Sequence, residues 1–175
     1  KALLRVISKR KKIGIAWTGG FVGTYGWQSR NMTLEALRPI FDLDADFICL
    51  EYKDRLDEIT AFEQKHGIEI HDWAWGTQTS DYDDTAALVS CLDAIICVPT
   101  TVYHLAGALG IPAIVMVHDT PHFHEGLFGE SPWWGSVEFI RKRNVANATA
   151  RLAHVLGDSR NAPAEAAAHG DVRAG

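Results

Sequence analysis

Residues 94–110 read AIICVPTTVYHLAGALG and carry the clearest fold signal in the chain. Their first five residues are apolar, and Ile95-Ile96 is a continuous β-branched pair, which is typical of a strand buried on both faces of a parallel sheet. The apolar run stops at Pro99, and a helix-like pattern follows in which small residues permit close packing on a sheet. Gly110 is well suited to end that helix. The stretch therefore predicts a buried strand, a short turn and a packed helix.

The same alternation of strand-like and helix-like patterns extends along most of the chain. Strands are predicted at 12–17, 46–51, 68–72, 94–98, 113–117 and 137–141. Helices are predicted at 34–41, 54–66, 84–92, 102–109 and 145–156. Strands that alternate with helices through short connections predict an α/β fold. We expect an open, parallel, Rossmann-like sheet of about six strands with right-handed crossovers and helices on both faces.

Composition narrows the class of protein. The chain has 175 residues, of which 47% are hydrophobic and 22% charged, values typical of a soluble globular domain. These values exclude a wholly disordered chain, a collagen-like repeat and a long coiled coil. No apolar run approaches the roughly 20 residues that a membrane-spanning helix needs. The net charge of -5 disfavours binding to nucleic acid, because duplex-binding domains are normally basic.

The ends of the chain and its cysteines give further expectations. We expect residues 1–12 to form a lead-in helix or linker, residues 13–157 the Rossmann-like domain, and residues 158–175 a disordered tail with almost no large apolar residue. Because the chain starts at Lys1 and not at Met, we expect it to be a fragment or a processed form. The three cysteines include no Cys-x-x-Cys pair, so reduced thiols and a cytoplasmic location are expected.

The loop after the first predicted strand has a composition suited to phosphate binding. Residues 18–30 contain four glycines, two of which are Gly19 and Gly20, and they end at Arg30. Glycine lets backbone amides approach phosphate oxygens closely, and an arginine can add a bidentate contact. The loop matches neither a Walker A sequence nor a good Gly-x-Gly-x-x-Gly pattern. An ordinary loop with an exposed arginine is therefore the alternative.

A second candidate site lies where the 94–110 strand ends. Thr100 and Thr101 can cap the helix that follows, and a helix N-terminus favours a bound diphosphate. His104 falls in the first turn of that helix, near any anion bound there. The alternative is a histidine that serves only packing or the surface.

The long connection after the fifth predicted strand, residues 117–134, is rich in histidine. Its His118, Asp119, His122 and His124 suggest a metal site, but their spacing matches no standard zinc motif. We therefore predict no metal. Contacts to a base or sugar, or a domain interface, are favoured for this loop.

The acidic segment before the third predicted helix and the six tryptophans each have more than one interpretation. Asp83 or Asp84 is a candidate N-cap for the third predicted helix, and Asp84 or Thr85 is a candidate contact to a ligand hydroxyl. A catalytic pair of carboxylates is the less favoured interpretation of this acidic segment. The six tryptophans lie at or beyond predicted strand ends, which indicates either a ligand cleft or partner surface, or local packing of long loops.

Several of these segments together resemble the C-terminal half of GT-B glycosyltransferases. The resemblance is strongest to family 9 heptosyltransferase-like domains, including those attached to tetratricopeptide repeats in bacterial proteins, and it extends from about Ile13 to Leu156. It is carried by IGIAWTG at 13–19, DDTAALV at 83–89, LDAIICV at 92–98, TTVYHLAGALG at 100–110, SPWW at 131–134 and EFIR at 138–141.

The resemblance implies a donor-binding lobe that holds a nucleoside-diphosphate sugar, with a heptose among the candidate sugars. Thr100 and Thr101 would lie near the diphosphate with His104 beside them, and the 18–20 loop would also contact the donor. With the candidates from the residues themselves, the predicted donor site comprises Thr18, Gly19, Gly20, Arg30, Asp84, Thr85, Thr100, Thr101, His104 and Asp119.

In such enzymes the general base and the acceptor site belong to an N-terminal domain, and the leaving diphosphate is stabilised without metal or other cofactor. An acceptor at the inner membrane would make the protein peripheral to that membrane. The chain departs from the family at Pro99, where an Asp usually precedes the helix-opening Thr. A non-catalytic nucleotide- or partner-binding module is therefore the main alternative. A further alternative is another class of enzyme on the same fold, such as a sugar-nucleotide epimerase or a phosphoryl-transfer enzyme.

Overall fold

Six parallel strands form one open sheet in a computed structural model that describes residues 8–20, 30–120 and 131–157. The strands are β1 (Lys11–Ala16), β2 (Ala45–Cys49), β3 (Ile70–His71), β4 (Ala94–Cys97), β5 (Ala113–Val117) and β6 (Val137–Arg141). Their order across the sheet is β3-β2-β1-β4-β5-β6. The predicted Rossmann-like α/β fold is confirmed. Strands β2 and β3 are added on one side of β1 and strands β4 to β6 on the other, so the strand order reverses between β1 and β4.

In the part of the chain that the structure describes, five α-helices connect or flank the strands. They are α1 (Leu56–His66), α2 (Ala74–Thr77), α3 (Tyr82–Val89), α4 (Thr101–Ala108) and α5 (Val145–Leu156). Short 3-10 helices lie at Arg38–Asp42 and Lys142–Asn144. Gly110, with φ +69, lies just beyond the end of α4, as predicted for a helix-ending glycine.

Each face of the sheet carries its own apolar core. Ile13 and Ile15 of β1 face a core covered by α1 and α5, whereas Ala16 faces a second core covered by α3 and α4. Every residue of β4 and β5 is buried, as the continuous β-branched runs predict. The backbone of β1 is registered against β4 with Ile15 opposite Ile96, so the two strands end side by side.

Two local predictions were wrong, and one short helix was missed. Residues 34–41 do not form an α-helix but turns followed by the 3-10 helix, because Pro39 lacks the N–H that an α-helical turn requires. The third predicted helix starts earlier: Asp81, not Asp83 or Asp84, is the N-cap of α3, and its carboxylate accepts the Asp83 N–H at 3.0 Å. The short helix α2 was not predicted.

The part of the lead-in that the structure describes is fixed to the sheet by one buried carboxylate. Asp46 accepts a hydrogen bond from the Ser8 hydroxyl and pairs with Lys12 Nζ at 2.9 Å and Arg10 at 2.6 Å. Burial pushes the pKa of Asp46 upward, but these bonds and the Lys12 and Arg10 charges outweigh it and hold the pKa below its usual range. Residues 1–7 and the predicted tail at 158–175 lie outside the described residues.

All three cysteines are thiols, and Cys49 and Cys97 are buried. Within the described residues, none of the helices combines the length and apolar character needed to cross a membrane.

Candidate functional site

A cleft of about 650 Å³ opens at the carboxyl ends of β1 and β4, where the strand order reverses. Open α/β sheets bind ligands at this position because loops from the two strands diverge to opposite faces of the sheet. Eight of the ten predicted donor-site residues line the cleft: Thr18, Gly19, Gly20, Arg30, Thr85, Thr100, Thr101 and His104.

Glu51 organises the first wall of the cleft, and sequence reasoning missed it. Its side chain is buried just beyond β2, and Oε1 accepts the backbone N–H of Trp17 at 2.6 Å and of Thr18 at 2.7 Å. Its Oε2 accepts the Thr18 hydroxyl, which in turn accepts a hydrogen bond from Arg55 Nη2 at 3.0 Å. The only sequence signal was an acidic residue directly after an apolar strand.

Burial raises the pKa of Glu51, although the hydrogen bonds from Thr18 and Trp17 and the Arg55 charge oppose that rise. Both carboxylate oxygens are occupied by donors from the loop after β1. Glu51 therefore holds this loop in place, and its oxygens are not directed at a ligand as a general base would be.

Close backbone packing joins the first wall to the second at Gly19. A Cβ on Gly19 would lie 2.9 Å from the Pro99 carbonyl oxygen and 3.3 Å from Thr100, so only glycine fits without movement. Asn31 fixes the same residue through its side-chain amide, with Oδ1 accepting the Gly19 N–H at 3.1 Å. The loops after β1 and β4 are thus held against each other at the floor of the cleft.

Arg30 lies against the next glycine in the cleft. The guanidinium lies so near Gly20, which has φ +72, that a Cβ there would be 3.0 Å from Arg30 Cζ. The Nε atom of Arg30 is buried and has no hydrogen-bond acceptor among the described residues. A buried guanidinium donor at the edge of a cleft is suited to an anionic ligand.

The second wall is the N-terminus of α4. Thr100 is its N-cap, and the Thr100 hydroxyl accepts the Val102 N–H at 3.2 Å. The remaining first-turn amides and the helix dipole give this end of α4 a partial positive charge. The predicted cap is therefore confirmed, and it points the positive end of a helix at the cleft.

His104 lies in the first turn of α4 and lines the cleft. Its Nδ1 accepts the indole N–H of Trp134 at 3.2 Å, and its ring stacks at a tilt on Tyr103, with centroids 3.9 Å apart. The imidazole is thus held on two sides by aromatic rings.

A second group of hydroxyl-bearing residues lines the cleft near β3. Thr77 of α2 and Thr85 of α3 are both buried, whereas Tyr82 is about half exposed. Tyr52 closes the edge between this group and the first wall, because its hydroxyl donates to the Gly20 carbonyl at 3.3 Å. This end of the cleft offers neutral hydroxyls and aromatic edges.

Two predicted donor-site residues lie outside the cleft lining. Asp84 accepts a hydrogen bond from the Thr79 hydroxyl at 3.4 Å, and Asp119 pairs with Arg143 after β6. His118 lies beside Asp119 and accepts the Thr120 N–H on Nδ1 at 3.2 Å, while His122 and His124 lie outside the described residues.

The tryptophans do not mark the cleft. None of the five in the described ranges is part of its lining, and Trp27 falls outside those ranges. Trp17 is fully buried, and Trp73 and Trp134 pack against the core that α3 and α4 cover. For these residues the alternative of local packing holds.

The charge distribution suits anion binding. Within the described residues, the lining contains one arginine, one histidine, a helix N-terminus and a single carboxylate, Glu51, which is already hydrogen-bonded. In the same part of the chain, no three His, Cys, Asp or Glu side chains are placed to hold a metal ion together.

The comparisons with known proteins bear on the fold. No protein-family profile matches the chain, and no curated protein sequence does. Among solved structures, the chain is similar to E. coli ADP-heptose LPS heptosyltransferase II, with a TM-score of 0.59 and 13% sequence identity. The match covers 87% of this chain and 48% of that protein, so the chain spans about half its length. The chain therefore shares the Rossmann-like fold of a glycosyltransferase lobe.

Proposed function

We propose that this domain binds the nucleoside-diphosphate sugar donor of a glycosyltransferase of the GT-B type. The observation that carries the proposal is the cleft at the switch point between β1 and β4. There the Gly20 amide, the Arg30 guanidinium and the capped N-terminus of α4 meet. These groups are donors that a diphosphate requires, and they need no metal to act.

The neutral end of the cleft suits the rest of such a donor. The hydroxyls of Thr77, Thr85 and Tyr82 can bond to sugar hydroxyls, and Leu50 and Tyr52 offer apolar surface for a base or sugar face. The fold similarity to a heptosyltransferase supports this class of ligand, and a heptose is one candidate sugar.

In this proposal, the lobe supplies some, but not all, of the groups that the transfer step requires. Glu51, the one carboxylate in the described lining, accepts bonds from Trp17 and Thr18 and is not placed to deprotonate an acceptor. The general base and the acceptor site would come from a second, N-terminal domain. In this proposal the present lobe lowers the barrier by stabilising the negative charge that builds on the leaving diphosphate.

Calorimetric titration with ADP-, UDP- and GDP-sugars tests the proposal. Saturable binding of at least one of them is expected, and Thr101→Val and His104→Ala should weaken it about two- to tenfold, as expected for loss of one hydrogen bond. Thr149→Val and His154→Ala, both on α5, are the matched controls and should leave it unchanged. A folded protein that binds none of the three would overturn the proposal.

A second candidate is a non-catalytic module that binds a nucleotide or a partner protein. The observation that favours it is Pro99, which lines the cleft where the resembled family usually has an aspartate. Nucleotide binding without transfer, measured in the presence of an acceptor domain, would support this candidate over the first.

A further inference from the structure

The bond between Trp134 and His104 points to a residue that acts on the cleft from outside it. We propose that Trp134 is a positioning residue that fixes the tautomer of the His104 imidazole for contact with the donor diphosphate. This inference rests on the proposed function. Trp134 is not part of the cleft lining, whereas His104 is.

The chemistry of the two rings defines the proton position. An indole Nε1–H can only donate, and it lies 3.2 Å from His104 Nδ1. Nδ1 must therefore carry a lone pair, so in the neutral imidazole the proton is on Nε2. The ring is then a hydrogen-bond donor at Nε2, as contact with a phosphate oxygen requires.

The position of the indole is itself determined by α4. A Cβ on Gly107 would collide with the Trp134 ring, so the indole packs directly on the backbone of the helix that carries His104. Glycine is among the least favourable residues within a helix, and its use here is explained by this contact. His104 and Gly107 are three residues apart and so lie on the same side of α4.

The turn before β6 holds the other side of Trp134. The Ser131 hydroxyl accepts the Trp134 N–H at 3.2 Å, and the Trp134 carbonyl accepts the Val137 N–H at 3.0 Å. The indole is therefore fixed between the start of β6 and α4, with its N–H directed at His104. The two rings meet edge to face, with centroids 6.4 Å apart and an interplanar angle of 73°.

The test compares Trp134→Phe with Trp133→Phe in the full 175-residue chain. Phenylalanine keeps a ring over Gly107 but removes the N–H. Trp133, which is 63% exposed, is the matched control. Long-range proton–nitrogen NMR spectra report the tautomer of His104 directly. Titration with ADP, UDP and GDP reports affinity.

In the wild-type protein and in Trp133→Phe, we expect His104 Nδ1 to resonate as an unprotonated nitrogen. In Trp134→Phe, the two ring-nitrogen signals should move toward each other, and affinity for the tightest-binding nucleotide should fall about two- to tenfold. An unchanged tautomer and affinity in Trp134→Phe would overturn the inference. If the wild-type protein binds none of the nucleotides but Trp134→Phe still changes the tautomer of His104, the positioning role is supported. The proposed function is overturned in that case.

Discussion

Glu51 accepts the backbone N–H of Thr18 at 2.7 Å, and this bond ties the end of β2 to the loop that forms the first wall of the cleft. The same carboxylate oxygen accepts the Trp17 N–H at 2.6 Å. Because Glu51 and Trp17 are both buried, the Trp17 amide depends on this carboxylate for its hydrogen bond. The shape of the first wall therefore depends on a single side chain from the neighbouring strand.

Replacement of Glu51 by Ala should lower both stability and nucleotide affinity. It leaves the buried Trp17 amide without an acceptor and removes the acceptor of the Thr18 amide and hydroxyl, which should cost about 2–4 kcal/mol in the free energy of unfolding. Urea denaturation measures this change. Glu69→Ala, at a side chain 77% exposed, is the control and should change stability by no more than about 0.5 kcal/mol. Equal stability and affinity in Glu51→Ala and wild type would show that the bonds do not organise the wall.

Asp46→Asn should destabilise the protein strongly at neutral pH. The substitution leaves the buried Lys12 ammonium without its counter-charge, and breaking a buried pair in this way costs about 3–5 kcal/mol. Asp42→Asn, which removes an exposed pair with Arg38, is the matched control and should cost under about 1 kcal/mol. Similar losses in the two variants would contradict the anchoring role of Asp46.

The effect of Asp46 on stability should also depend on pH. Its pKa is lowered in the folded state, so between the folded value and the unfolded value of about 3.9 the unfolded chain binds more protons. The stabilisation from Asp46 is thus complete above the unfolded pKa and is lost as pH falls through the folded one. The stability gap between wild type and Asp46→Asn should shrink as pH is lowered from 6 to about 2. A gap that grows in acid would contradict the direction of this shift.

Gly19→Ala should separate the two walls of the cleft. The new methyl would meet the Pro99 carbonyl oxygen at 2.9 Å, and backbone on that side cannot yield as a flexible side chain would. We expect nucleotide affinity to fall about tenfold or more, because displacement of binding groups by about 1 Å is costly. Gly135→Ala, whose methyl would meet nothing within 4 Å, is the control. Calorimetric titration measures the nucleotide affinity of both variants. Equal affinities in Gly19→Ala and Gly135→Ala would refute the expectation.

Thr100→Ala should weaken α4 at its start. Loss of an N-cap hydroxyl costs about 1 kcal/mol of stability, and Thr100→Ser should retain most of it because serine is an equally good cap. Thermal unfolding of the two variants measures the difference. If serine and alanine destabilise equally, the threonine methyl group, rather than the hydroxyl, is what matters at this position.

Local sequence patterns were sufficient to predict the strands of the sheet. Each of the six strands contains buried apolar residues, and the continuous β-branched pairs in β4 and β5 correspond to strands buried on both faces. The N-cap at Thr100 and the helix end at Gly110 also follow from local rules.

The parts that could not be predicted depend on distant contacts. Glu51 meets Thr18 across 33 positions of sequence, and Trp134 meets His104 across 30, so no spacing pattern could reveal either pair. Arg30 and the 18–20 loop, predicted as site residues, line the cleft, but the buried carboxylate that orders the loop was visible only in the fold. The acidic segment alone predicts Asp83 or Asp84 as the cap of α3, whereas the fold shows that Asp81 caps that helix.

The central claim is that a nucleoside diphosphate binds between the loop after β1 and the N-terminus of α4. Backbone amide NMR spectra recorded during titration with ADP, UDP and GDP test this most directly. The account predicts that the amides of Gly19, Gly20 and Thr101–His104 shift together and saturate, while those of Gly135 and Val155 at the opposite end of the sheet stay in place. Saturable shifts confined to other regions, or no shifts at any of the three nucleotides in a folded sample, would contradict it.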